Sequence, residues 1–194
     1  MSREGRGEIA ARRRARELAL QSIYQWLLHN APTGEAGAQA PPARESLPEQ
    51  PPQAQLHAIR ELLGSATPED QKGTKAHTPV DADFFTALLQ GAVDEAGELR
   101  ALFAPLLTRA VTELSPVEHA LLLLGAFELR HDIETPYRVV INEAIELAKK
   151  YGGTDGHKFV NGVLDRLAAS IRPEEAAAVR ESRRQGKRED SGNG

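Results

Sequence analysis

The sequence predicts an all-α protein, a bundle of about six or seven helices. Three observations carry that expectation. No stretch alternates apolar and polar residues as a half-buried strand would. Apolar residues instead recur every three or four positions in several separate segments. Helix start and stop signals flank those segments: Ser115-Pro116 with Glu118 following, Thr135-Pro136, and the pair Gly152-Gly153.

Taken in order, residues 1–7 are polar and glycine-containing and read as a mobile N-terminus. From Glu8 the pattern turns helical. Ala11, Ala15, Ala19, Ser22, Ile23 and Trp26 share one face, with Leu18 and Leu27 at its flanks. From Ala31 to about Pro52 the chain is rich in proline, alanine and glutamine, too interrupted for a helix and too poor in apolar side chains to order itself. Ala54–Leu63 could form a short amphipathic helix before a further loop, so 31–80 reads as a largely disordered insertion. Helical periodicity resumes at Asp81 with Phe84, Phe85, Leu88, Leu89, Ala92 and Val93. It continues through Leu99 to Leu107, where Pro105 marks a kink or break. Val117 to Leu129 is apolar on most sides, as expected of a helix at the centre of a bundle. Pro173 should break the last helix, leaving 173–194 as a charged, disordered tail.

Bulk properties exclude several function classes. The net charge is −4, so any nucleic-acid binding has to come from local patches. The chain has no cysteine, which removes disulfides, thiolate chemistry and cysteine-ligated zinc. No apolar run approaches membrane-spanning length, and the charged N-terminus lacks a signal segment, so a cytoplasmic protein without a membrane partner is expected. There is no phosphate-binding glycine loop, no G-x-S-x-G and no H-E-x-x-H. The six histidines are not paired at ligand spacing. Neither catalysis nor a metal or cofactor is expected. Glu143 and Glu146 lie three apart on one helix, but a solvated face or a structural hydrogen bond explains them more simply than acid–base chemistry.

Two stretches invite a binding role. The first holds six arginines in sixteen residues without a lysine; Arg12, Arg13 and Arg16 fan over one flank while Arg14 falls elsewhere. Arginine suits phosphate and planar base contacts, although such a run is usually only a solvated face. The second is Thr135–Leu167, a helix, a glycine elbow and a second helix. Thr135 would cap the first helix, Glu146 would pair with Lys150, and Asp155 would cap the second helix. The elbow presents Tyr151, Thr154, Asp155, Lys158 and Asn161 near one another. Arginines for phosphates, with an aromatic and a lysine for bases and backbone, are the parts single-stranded RNA requires. An ordinary helical hairpin accounts for the same spacing. Tyr24 and Trp26 read as core or interface anchors.

The words INEAIELAKKYG and HKFVNGVLDRL, together with the opening RRRARELALQSIYQW, resemble the NusB family of bacterial transcription antitermination factors. The resemblance covers roughly 8–30 and 81–172, and two matching ends in order are more specific than either alone. It implies the NusB fold, two small helical subdomains packed together over 8–172, and it implies that the arginine helix and the elbow meet in space. The residues matching that family's RNA surface, which reads boxA-type RNA of ribosomal RNA leaders, are Arg12, Arg13, Arg14 and Arg16, then Tyr151, Asp155, Lys158, Phe159 and Asn161. It further implies joint binding with NusE, a small-subunit ribosomal protein, within an RNA polymerase antitermination complex, with Tyr24 and Glu118 matching the partner surface. The chain departs from the family pattern in 31–80, which is longer and richer in proline. Two other readings stand beside this one. One is a NusB-like docking module of the kind joined to ribosomal RNA cytosine methyltransferases, whose catalytic residues these 194 residues do not contain. The other is a protein-only helical scaffold, a homodimer that buries the arginine helix.

Overall fold

The computed structural model describes residues 3–30, 80–179 and 181–182. The segment 31–79, with the helix expected at Ala54–Leu63, lies outside the described residues, as does most of the C-terminal stretch. Among the described residues there is no strand. Six α-helices have defined bounds: α1 Arg3–His29, α2 Ala82–Asp94, α3 Ala96–Phe103, α4 Pro116–His131, α5 Tyr137–Tyr151 and α6 Gly156–Ile171.

Helix α1 begins five residues earlier than its apolar pattern does. Gly5 and Gly7 each disfavour a helix by about 1 kcal/mol, but extending an established helix adds a hydrogen bond per residue. Ala15, Ala19, Ile23 and Trp26 are buried as their spacing predicts, and Leu20 joins them. Ser22 is buried because its hydroxyl donates to the Leu18 carbonyl at 3.0 Å. The chain rejoins α1 at Asp81, whose N–H donates to the Ala11 carbonyl and whose carboxylate accepts from the Phe84 N–H to cap α2. A one-residue break at Glu95 separates α2 from α3, and Pro105 sits in the 3-10 turn Ala104–Leu106 that ends the pair.

The central element is α4. The Ser115–Glu118 capping box starts it, with Pro116 in its first turn. From Ala120 to Ala126 every residue is buried, so the helix is enclosed on all sides by α1, α2, α3, α5 and α6. Close approach is achieved through small residues. A Cβ at Gly125 would stand 2.8 Å from a Leu164 methyl of α6, and one at Gly91 of α2 would overlap the Phe127 ring. The buried side chains of all six helices form one continuous core.

The ends of the hairpin α5–α6 differ from expectation in four ways. Thr135 does not cap α5: its hydroxyl donates to Asp132, and the helix begins one residue after Pro136. The orphan Tyr137 N–H is satisfied by the Glu175 carboxylate at 2.9 Å. Glu175 is available because Pro173 opens a new helical segment over 173–179 instead of a tail. Its Ala176 is buried, and Val179 packs against the core. Pro fits a first helical turn, and Ala176 and Val179 lie three apart on one face. Last, Glu146 pairs with Lys149 rather than Lys150. Arg172, unremarked in the sequence, is buried and donates to the carbonyls of Glu128, Leu129, Asp132 and Thr135, closing the C-terminus of α4.

One buried ion pair fixes α1 to α4. Arg16 donates bidentately to Glu128 at 2.7–3.1 Å, and the two side chains are only 5% and 2% exposed. Burial pushes the Glu128 carboxyl up, and the Arg16 charge opposes that rise. Removing one partner strands a buried charge. Glu128→Ala should therefore cost about 3–5 kcal/mol in chemical denaturation, whereas Arg16→Met with Glu128→Leu should recover most of that loss. A single variant as stable as the parent would show that water already reaches the pair.

Candidate nucleic-acid interface

Helical spacing sorts the arginines of α1 into two rows with different fates. Arg12 and Arg16, four apart, both lie over the Phe84 ring, at 4.8 and 4.9 Å from its centroid. Arg12 is half-buried between Asp81 and Asp132, at 3.6 and 3.9 Å, and Arg16 is held by Glu128. Both therefore serve the packing of α1 on α2 and α4. Arg16 offers RNA no surface in this conformation, which corrects its placement among the RNA candidates. Burial overrode charge there because Glu128 was waiting inside the core.

The second row, Arg13, Glu17 and Gln21, follows the flank of α1 that faces α5. Arg13 forms a bidentate pair with Glu143 at 2.6 and 2.9 Å. This gives Glu143 a structural partner, and it holds the Arg13 guanidinium above its ordinary pKa through the hydrogen bond and charge of Glu143. Glu17 accepts from Lys150 and from the Tyr151 hydroxyl on one oxygen, and from Arg14 at 2.6 Å on the other. Gln21 adds a donor to the Tyr151 oxygen at 3.3 Å. The arginine helix and the end of α5 are thus side by side, cross-linked by six side chains.

The elbow follows directly. Gly152 is extended (φ −90°, ψ 172°) rather than left-handed, and glycine is needed because a Cβ would meet the Ala148 carbonyl oxygen at 2.6 Å. Asp155 stands at the start of α6, but its side chain caps nothing; it pairs with Lys158 at 2.9 Å instead. Both partners are more than 70% exposed, as is expected of a weak, exchangeable pair. Asn161 is exposed one turn on, and Tyr151 is half-buried. Phe159 is half-buried, with the Arg109 guanidinium 4.6 Å above its ring centroid.

Arg109 also pairs with Glu118 at 2.8 Å, tying the elbow to the start of α4. Glu118 is committed to its capping box. Burial disfavours its charge, but the Ser115 hydroxyl and N–H together with Arg109 outweigh that and hold its carboxyl below the usual range. Tyr24 is half-buried against the core, and Trp26 is buried. Sequence patterns missed Glu17, Lys150 and Arg109. The i, i+4 row of Arg13, Glu17 and Gln21 was the available signal for the first. Among the described residues, no three acidic or histidine side chains are grouped to hold a metal ion, and no helix is long and apolar enough to cross a membrane.

Comparison with known proteins gives these features a family. The model of the NusB family matches residues 53–169. The chain is 49% identical over 170 residues to the transcription antitermination protein NusB of Azoarcus sp. (strain BH72), covering 88% of this chain and 90% of that protein. It is 46% identical over 171 residues to the protein of the same name from Burkholderia cenocepacia (strain HI2424), covering 88% and 97%. The solved structure of T. maritima NusB superposes with a TM-score of 0.59 at 23% identity, over 84% of this chain and 95% of that one, a likeness of fold. With more than half of its length matched by the family model and near half identity to full-length relatives, this chain belongs to the NusB family.

Proposed function

We propose that this chain acts without catalysis, as a transcription antitermination factor that binds boxA-type single-stranded RNA jointly with NusE, within the antitermination complex on RNA polymerase. The observation that carries this reading is the alignment of the α1 row with the elbow. Arg13, Arg14, Lys150 and Tyr151 meet where α1 runs beside the end of α5, and Lys158 and Asn161 follow across the elbow on the exposed side of α6, giving exposed cationic heads and an aromatic ring. Such a surface suits a single strand, whose phosphates take the cations and whose bases stack. The shared Arg109 supports a joint mode, since it contacts Phe159 of the RNA candidates and Glu118 of the partner candidates. The relatives matched carry the name transcription antitermination protein NusB, which favours that role over a docking module of a methyltransferase.

The test is binding of a boxA-type RNA and a scrambled control, each with and without NusE, at two salt concentrations. Preference for the boxA-type RNA that grows when NusE is present is the expected result. Equal affinity for both RNAs in both conditions would remove the proposal.

Two substitutions locate the contact. Lys158→Ala should weaken binding and lower the log–log salt slope by about 0.7, the loss of one phosphate contact on a single strand. Asp155→Asn should bind RNA more tightly by about 0.2–1 kcal/mol, because it removes an exposed charge that competes for Lys158. Thermal stability should hold in the second variant, since the Asp155 side chain makes no cap hydrogen bond. An unchanged affinity in both titrations would put the elbow outside the RNA surface.

A further inference from the structure

Glu17 stands where an RNA interface should least want a carboxylate. It is 11% exposed at its side chain, beneath Arg14 and Lys150, which are 41% and 59% exposed. Two cations and a phenol, contributed by two helices, converge on its two oxygens. The chemistry of that socket is the chemistry of a phosphate site: an oxyanion with several donors around it, some charged. Two positive charges face one negative charge, so the socket remains net cationic when closed.

We propose that Arg14, Lys150 and Tyr151 form a phosphodiester subsite of the RNA surface, and that Glu17 occupies it in the free protein as an intramolecular stand-in for the phosphate. The inference rests on the RNA-binding reading above and adds to it a site and a threshold. A strand first held by exchangeable contacts such as Lys158 must displace Glu17 to gain Arg14 and Lys150. Short or poorly fitting RNA does not repay that displacement. Protonation does not open the latch near neutral pH. Burial raises the Glu17 carboxyl, but the hydrogen bonds from Lys150, Tyr151 and Arg14 outweigh it and hold the group at about 2.

The experiment is a double-mutant cycle on the full chain with Glu17→Gln, Lys150→Ala and the two combined, titrated with a boxA-type RNA and with an unrelated single strand across a salt series. Glutamine keeps the shape and an acceptor oxygen while removing the competing charge. The expected result is tighter binding of both RNAs by Glu17→Gln, with a slope steeper by up to about 1.4, two freed phosphate contacts at about 0.7 each. Lys150→Ala should cost more affinity in the Glu17→Gln background than in the parent. Helicity and thermal unfolding identify any variant that has lost its fold, and Lys150→Ala, whose lysine is 59% exposed, gives the parent-background arm independently. Weaker or equal binding by folded Glu17→Gln, or an equal Lys150→Ala effect in both backgrounds, overturns the proposal and leaves Glu17 as a helix-to-helix anchor. Inorganic phosphate at matched ionic strength is the control; competition as effective as that of RNA would assign the socket to a free anion and also overturn it. Failure of the boxA preference alone falls on the functional reading, because the slopes are measured on both RNAs.

Discussion

The buried pair between Arg16 and Glu128 is the constraint on which the rest of the arrangement depends. It sets the rotation of α1 about its own axis, because Arg16 must face Glu128 in the core with Phe84 against its guanidinium. Once Arg16 points inward, Arg12 is carried toward Asp81 and Asp132 by the i, i+4 relation. The row Arg13, Glu17 and Gln21 is then carried toward α5. A rotation of one residue, about 100°, would send that row into solvent or into the core. The ion pair adds little net stability compared with an apolar pair of equal volume. Its contribution is orientation: it is met in one rotation of α1 only.

Most of the fold was legible in the sequence, and the physical reason is consistent. Helices α2, α4, α5 and α6 declare themselves through apolar periodicity and, for α4, through the Ser115–Glu118 box, all of which are local. What escaped was non-local. The Tyr137 N–H is satisfied by Glu175, 38 residues away, and the C-terminus of α4 is closed by Arg172, 43 residues beyond Leu129. Neither partner is encoded in the segment it completes. The same reason explains the 173–179 segment: its composition reads as a charged tail, and only the surface offered by the bundle makes Ala176 and Val179 worth burying.

The candidate interface divides in the same way. The elbow residues Tyr151, Asp155, Lys158 and Asn161 are neighbours in sequence, and the spacing that suggested their proximity is the spacing of one turn and one loop. The arginines were harder. Charge density identifies the segment but cannot tell a solvated row from a buried one: Arg16 and Arg12 turn toward α2 and α4, Arg13 pairs with α5, and Arg14 pairs with Glu17 of α1 itself. Asp155 and Glu146 illustrate the limit at shorter range. Glu146 was read with the right kind of partner but pairs with Lys149 instead of Lys150, and Asp155 was read as a helix cap but pairs with Lys158. Exposed pairs differ by only a few tenths of a kcal/mol, too little for spacing to decide.

A chain of net charge −4 is an unlikely-looking partner for RNA until its charges are followed to their contacts. Along the proposed strand path, Arg13, Arg14, Lys150 and Lys158 each rest on a carboxylate of the same chain, respectively Glu143, Glu17, Glu17 and Asp155. The surface is therefore basic in its residues and close to neutral in its field. Nonspecific RNA affinity arises from unpaired cations and the counterions they release, so a self-paired edge keeps that term small. A strand that fits can still displace the exposed Asp155 carboxylate with its own phosphates, since such a pair holds weakly in water. On the proposed reading, specific recognition depends on geometry and on the NusE surface, with long-range attraction playing little part. The acidic composition that at first counted against RNA binding becomes, on the proposed function, the means by which such binding would be made selective.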